Sequence, residues 1–149
     1  MKKEDILGRW LIVDWRQEYD DGRVSYPLGE QLRGFIEYGQ HGMFCIIEKA
    51  DRPRLAASQW TASDQDKVAA YSSYFSYAGG WEVESEGNAG AVIAHHVEHS
   101  LYPNWEGGIQ RRTAQMRDGQ LYLSARFEDG TPEARSAHLV WRRAPLSTS

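Results

Sequence analysis

The sequence predicts an all-β protein, an antiparallel sandwich or barrel, on three observations. Short segments rich in Val, Ile, Trp and Tyr follow one another along most of the 149 residues. Turn signals recur about every ten residues, as expected of strands joined by hairpins. Only one segment has helical periodicity. We therefore expect roughly eight to ten strands and one helix, in a single domain over residues 1–149.

The first part of the chain is predicted to form four strands. Residues 8–19 are rich in Trp, Ile, Val and Tyr and form a long first strand. Asp20-Asp21-Gly22 follows as a hairpin turn, because glycine readily adopts a positive φ. The next strands are expected over residues 23–26, 32–38 and 43–48. A loop over residues 49–62 contains Pro53 and several charges.

The one predicted helix covers about residues 64–78. Ser63 is a suitable N-cap, and the acids of the first turn favour the positive end of the helix dipole. Apolar residues recur at helical spacing on one face, at Val68, Tyr71, Phe75 and Ala78. Gly79-Gly80 ends the segment in a manner typical of helix C-termini.

The second part of the chain is again predicted to be strands. Arg117-Asp118-Gly119 is a second hairpin signal, and residues 103–108 and 128–133 are expected to be a loop and a turn. The tail over residues 144–149 is expected to fray. The predicted strands cover residues 81–85, 91–101, 109–116, 120–127 and 135–143.

Composition restricts the classes of function. A net charge of −4, from 17 basic and 21 acidic residues, argues against nucleic acid as the main partner. No apolar run has the length of a signal peptide or a membrane span, so we expect no membrane partner. Cys45 is the only cysteine, which excludes an internal disulfide and favours a reduced, cytoplasmic protein. Its apolar neighbours indicate a buried, inert thiol.

Residues 95–105 hold three of the five histidines, one acid and two aromatic residues. His95 to His99 matches the H-x-x-E-H pattern of some zinc peptidases, which requires a helix that places two imidazoles on one face. The flanking residues favour a strand instead, and in a strand His95 and His99 would lie about 13 Å apart. We therefore expect no metal and no cofactor.

In a strand, this segment has two alternating faces. His96, Glu98 and Ser100 share one face, and His95, Val97 and His99 share the other. We expect His96 and Glu98 to point into the fold, because Val97 suits apolar contacts outside. A slip of one residue would reverse this orientation.

Several motifs in order resemble the lipocalin superfamily, also called calycins. Gly8-Arg9-Trp10 opens the first strand, and a basic residue of the last strand is expected to pack near this Trp. The whole series is similar to the lipocalin-like domain family of bacteria and fungi. The further motifs are Tyr26-Pro27-Leu28-Gly29, Asp51-Arg52-Pro53-Arg54, Tyr77-Ala78-Gly79, His95-His96-Val97-Glu98, Pro103-Asn104-Trp105-Glu106-Gly107 and Leu139-Val140-Trp141-Arg142-Arg143.

The resemblance implies an up-and-down β-barrel, closed and wide enough for one small ligand. The first functional interpretation is binding of a small, partly aromatic or hydrophobic molecule, with the helix covering one end of the barrel. The candidate ligand-binding residues are Tyr38, Tyr71, Tyr74, Tyr77, Tyr102, Asn104, Trp105 and Arg111.

The alternative is an isomerase, cyclase or hydrolase that acts on a small organic substrate within the barrel. His96 would be its base, Glu98 would orient His96 or act as the acid, and Arg111 or Arg112 would hold an anion. Only one of the two arginines can face inward. A homodimer is the default assembly for a chain of this size.

Overall fold

A computed structural model describes residues 1–87 and 90–146. Within them, nine strands are joined mostly by tight turns. The strands are β1 (Gly8–Tyr19), β2 (Val24–Ser25), β3 (Leu32–Gly39), β4 (Gly42–Lys49), β5 (Tyr74–Gly87), β6 (Gly90–Ser100), β7 (Ile109–Arg117), β8 (Gln120–Phe127) and β9 (Arg135–Arg143). The helices are α1 (Lys3–Ile6), α2 (Asp64–Ser72) and a 3-10 turn (Pro103–Trp105).

Eight of these strands form a closed antiparallel barrel. From β3 onward each strand pairs with the next along the chain, and β9 pairs back with β1. One edge of β1 is shared, since its first residues pair with β3 and its last with the short β2. The other edge pairs with β9 from Trp10↔Arg143 to Tyr19↔Arg135. The predicted up-and-down barrel is therefore confirmed, and closure removes the unpaired strand edges.

One end of the barrel is covered by α1. Ile6 is fully buried, and its carbonyl accepts a hydrogen bond of 2.8 Å from Trp10 Nε1. The guanidinium carbon of Arg143 lies 3.8 Å from the centre of the Trp10 ring. That guanidinium also donates to the carbonyls of Leu7 and Asp5. The expected packing of a last-strand basic residue on the first-strand Trp is thus observed.

The interior is built from alternate residues of each strand, as the two-residue period requires. Tyr38 on β3, Cys45 on β4 and Ile93 on β6 are all buried, as are Leu121 and Trp141 on β8 and β9. The core therefore lies along the barrel axis.

The predicted helix is correct at its start and wrong at its end. Ser63 Oγ accepts a hydrogen bond of 3.1 Å from the backbone N–H of Asp66, as an N-cap should. The helix ends at Ser72, and β5 begins at Tyr74. Phe75 and Tyr77 pair with β4 and alternate with outward residues, so their spacing fits a strand as well as a helix. None of the helices in the described residues has the length and apolarity needed to cross a bilayer.

A β-bulge interrupts the pairing of β5 with β6. Ala78 pairs with His99 and Gly79 pairs with Val97, so Glu98 is the extra residue. A Cβ on Gly79 would lie 1.9 Å from the carbonyl oxygen of His96, so only glycine fits there. The alternation of β6 breaks at this point, and both Glu98 and His99 are exposed.

Candidate functional site

The barrel encloses a cavity of about 550 Å³ that opens at the end opposite α1. This volume lies within the range of small-molecule sites, roughly 300–1,000 Å³. Ile36, Cys45, Ile47, Leu123 and Trp141 line its apolar part. We call this space the barrel cavity. A shallower depression of about 800 Å³ beside α1 is more open to solvent and is lined mostly by polar surface.

Five aromatic side chains that line the barrel cavity contact one another. The ring centres of Phe75 and Tyr77 lie 5.3 and 5.4 Å from that of Trp105, and the rings are close to perpendicular. Such edge-to-face contacts are favourable because the ring edge is positive and the ring face negative. We call this group the aromatic cluster; its members are Trp15, Phe75, Tyr77, Tyr102 and Trp105.

Two arginines also line the barrel cavity. Arg112 on β7 is only 7% exposed, and Arg135 on β9 is half-buried. Their guanidinium carbons lie 5.7 and 5.8 Å from the ring centre of Phe127, so both cations flank one aromatic ring. The guanidinium of Arg112 also lies 5.6 Å from the ring of Trp105. Contacts of this kind between a cation and a ring are favourable, more so away from water.

Three buried N–H groups of the cavity wall have no hydrogen-bond partner within the described residues. They are Trp15 Nε1, Arg135 Nε and Trp141 Nε1. A buried donor without a partner is costly, and most buried polar groups in proteins are satisfied. All three nitrogens belong to residues that line the barrel cavity.

His95 lies behind this wall, between two tyrosines. Tyr38 Oη is 2.7 Å from His95 Nε2, and Tyr77 Oη is 2.8 Å from His95 Nδ1. Burial lowers the pKa of His95 to about 3, helped by the positive charge of Arg112. The imidazole is therefore neutral, donating to one tyrosine oxygen and accepting from the other hydroxyl. Burial also raises the pKa of both tyrosines, so neither carries a charge.

The predicted orientation of His96 and Glu98 is wrong. His95 and Val97 face the interior, while the His96 side chain is 44% exposed and pairs with Glu82 at 3.0 Å. Val97 packs in the core, where His96 was predicted to point. The bulge then turns Glu98 outward. The structure does not bring the two proposed catalytic residues to the barrel cavity. Their catalytic role stays a prediction, but the inward orientation on which it was based is wrong.

The predicted ligand-binding residues divide into three groups. Tyr77, Tyr102, Asn104 and Trp105 line the barrel cavity, and Tyr38 lies behind it through His95. Tyr71 is exposed on α2, Tyr74 packs on Arg52, and no residue of α2 lines the barrel cavity. Arg111 points outward and forms a two-bond ion pair with Glu84.

The residues that sequence reasoning missed are mainly donors and rings of the last strands. The sequence left open whether Arg111 or Arg112 would hold an anion. The register of β7 decides this, because it places Arg112 on the inward face together with the buried Ala114. Alternation within β9 would have placed Arg135, Ala137, Leu139 and Trp141 on one face. Aromatic lining residues that were also missed are Trp15 on β1, Phe75 on β5 and Phe127 at the end of β8.

The zinc interpretation requires a helix over residues 95–99. His95 to His99 lies on strand β6 and not on a helix. Over residues 1–87 and 90–146, no three side chains of His, Cys, Asp or Glu are close enough to hold one metal ion.

A closed eight-stranded barrel with an extra strand and an internal cavity defines a protein of the lipocalin type. The chain belongs to the lipocalin-like domain family, whose family model matches residues 7–144. It is 32% identical, over 93 residues, to the 4'-hydroxy-3'-methoxypropiophenone carrier protein ppsC of Aspergillus oryzae (strain ATCC 42149 / RIB 40). That match covers 59% of this chain and 83% of the relative. No solved structure matches this chain.

Proposed function

We propose that the protein binds and carries a small, partly aromatic molecule inside the barrel. The observation that supports this most strongly is the cavity of about 550 Å³, walled by aromatic side chains and open at one end. Membership of the lipocalin-like family and the similarity to a named carrier protein support the same function.

The aromatic cluster suits a flat, ring-containing ligand. Its rings meet edge to face, and a ligand ring that adds to this arrangement gains both contact area and favourable electrostatics. The ligand named for the Aspergillus relative is a single-ring aromatic ketone, a size that a cavity of this volume accommodates. We therefore propose single-ring aromatic compounds as the class of ligand.

No observation favours the acid–base alternative over a carrier. It needs His96 and Glu98 to face the barrel cavity, and both point to the outer surface. The histidine that does lie inside, His95, is held neutral between two tyrosine hydroxyls. A neutral imidazole with both nitrogens engaged in this way is a structural group of the wall.

We also propose a cytoplasmic location, which the lone cysteine supports, since disulfides are rare in that compartment. Burial raises the pKa of Cys45 to about 12, so its thiol stays protonated and unreactive at neutral pH.

A homodimer remains the default expectation, and light scattering on the purified protein measures the oligomeric state.

Calorimetric titration with 4'-hydroxy-3'-methoxypropiophenone tests the carrier function. Ala137 is buried on the cavity wall, so Ala137→Phe fills part of the space and is expected to weaken binding at least about tenfold. Ala69→Phe is the matched control, because Ala69 is exposed on α2, away from the barrel cavity.

Equal binding by the two variants would show that the ligand sits elsewhere. Native mass spectrometry of the freshly purified protein provides a second, independent test. We expect it to retain a small molecule at a ratio of one per chain. Loss of that molecule in Ala137→Phe and its retention in Ala69→Phe would place it in the barrel cavity.

A further inference from the structure

We propose that the natural ligand is an aromatic carboxylate whose acid group pairs with Arg112 inside the barrel. The inference rests on the proposed carrier function and adds the charge and the chemical class of the ligand. It is carried by an arginine that is buried without a carboxylate partner in the wall of the barrel cavity and by the positive charge of the groups inside that cavity.

Arg112 carries a positive charge that is 93% removed from solvent, beside the rings of Trp105 and Phe127. Its Nη1 donates to the carbonyl of Arg111 at 3.1 Å. Among the described residues no Asp or Glu forms an ion pair with it. A guanidinium has five N–H donors and keeps its charge, so burial without a counter-charge is costly. A ligand anion would supply that counter-charge.

Three N–H groups of other residues that line the barrel cavity lack a hydrogen-bond partner among the described residues. Trp15 Nε1, Arg135 Nε and Trp141 Nε1 are all donors, and none of these nitrogens can accept a hydrogen bond. Any ligand atom that reached one of them would have to be an acceptor. A carboxylate offers two oxygens with about four acceptor positions, which is more than a ketone or a phenol offers.

The distribution of charge around the barrel cavity has one sign inside. Arg112 and Arg135 both line it, whereas the single acid among the described lining residues is Glu128, exposed at the rim. A guanidinium matches a carboxylate in plane and spacing and binds it through two parallel hydrogen bonds. The aromatic cluster would hold the ring of the same molecule, since Trp105 contacts both Arg112 and the other rings.

Three probes with the same ring substituents separate this inference from the carrier function. They are 4-hydroxy-3-methoxycinnamate, its methyl ester, and the neutral ketone 4'-hydroxy-3'-methoxypropiophenone, each titrated calorimetrically at neutral pH. We expect the acid to bind about ten to a hundred times more tightly than its ester, because charge-assisted hydrogen bonds form only with the acid. Arg112→Gln is expected to reduce the ratio of the two dissociation constants to near one.

Arg111→Gln is the matched control, since Arg111 is the neighbouring residue but points outward to Glu84. We expect this variant to keep the preference for the acid. The melting temperature of each variant without ligand identifies any loss of folding, and the ester provides a binding readout that the charge does not affect.

Each outcome of the titrations is informative. If ester and ketone bind but the acid binds no better, the anionic ligand class is wrong and the carrier function stands. A preference for the acid that survives in Arg112→Gln would refute the assignment to Arg112. Failure of all three probes to bind would contradict the carrier function and the inference together.

Discussion

His95 makes the fold sensitive to acid over a defined range of pH. Burial lowers the pKa of its imidazole to about 3 in the folded protein, from an ordinary value of 6.5. Between these values the unfolded chain binds a proton that the folded protein does not bind. The free energy of unfolding therefore rises with pH through this window, and the stabilisation is lost as pH falls below about 6.5.

The size of the effect follows from the same two values. The full difference corresponds to about 5 kcal/mol, and acidification from about pH 7.5 to about pH 5 removes roughly 2 kcal/mol of stability. The cause is local: a protonated His95 would sit among uncharged tyrosine hydroxyls and near the charge of Arg112. Because burial raises the pKa of Tyr38 and Tyr77, no tyrosinate is present to balance it.

Urea unfolding at several pH values between about 5 and 7.5 measures this dependence. His95→Gln keeps one donor and one acceptor without a titrating group, so its stability should change with pH by about 2 kcal/mol less than that of the wild type. His41→Gln is the control, because His41 is exposed in the β3–β4 turn. Parallel curves for His95→Gln and the wild type would refute the reasoning and mean that the imidazole is not held neutral by burial.

Arg112, Gly79 and Cys45 each allow a separate test of the structure. Arg112→Met removes an unbalanced buried charge while keeping most of the side-chain volume, so the ligand-free variant should be more stable by roughly 1–2 kcal/mol in urea unfolding. A lower stability of the variant would mean that Arg112 has a structural role. Gly79→Ala forces a Cβ against the His96 carbonyl and should lower the free energy of unfolding by at least about 2 kcal/mol. Gly80→Ala, whose Cβ would lie 3.8 Å from its nearest neighbour, should lower it by under about 1 kcal/mol, and similar losses for the two variants would contradict the bulge. Cys45 should react with a thiol reagent at neutral pH only after denaturation, and rapid labelling of the native protein would exclude its burial.

The strands could be predicted from sequence because their signals are local. The ends of β8 and β9 were predicted without error, since turn residues bound both. The segment from Tyr74 to Ala78 was wrongly predicted to be helical, because aromatic residues spaced by two to four positions fit either period. Pairing of this segment with β4, which is a long-range contact, decides for the strand.

The cavity wall was harder to predict than the barrel. Which face of β6 points inward depends on register, and a one-residue shift exchanges His95 with His96. The bulge at Glu98 adds a second break that no turn signal in the sequence marks. The same dependence on register separates Arg112 from Arg111. The aromatic residues near Trp105 were found because they follow a strand end, where the 3-10 turn brings them to the opening.

The pairing of β1 with β9 has a consequence for folding kinetics. From β3 onward each strand pairs with the next, and β1 pairs with β3 across the short β2, whereas β1 and β9 lie at opposite ends of the sequence. Contacts so distant along the chain are entropically expensive and form slowly. Trp15 lies on β1 and Arg135 and Trp141 lie on β9, so the wall of the barrel cavity is complete only after this closure. A bound ligand should therefore slow unfolding and leave the rate of folding nearly unchanged.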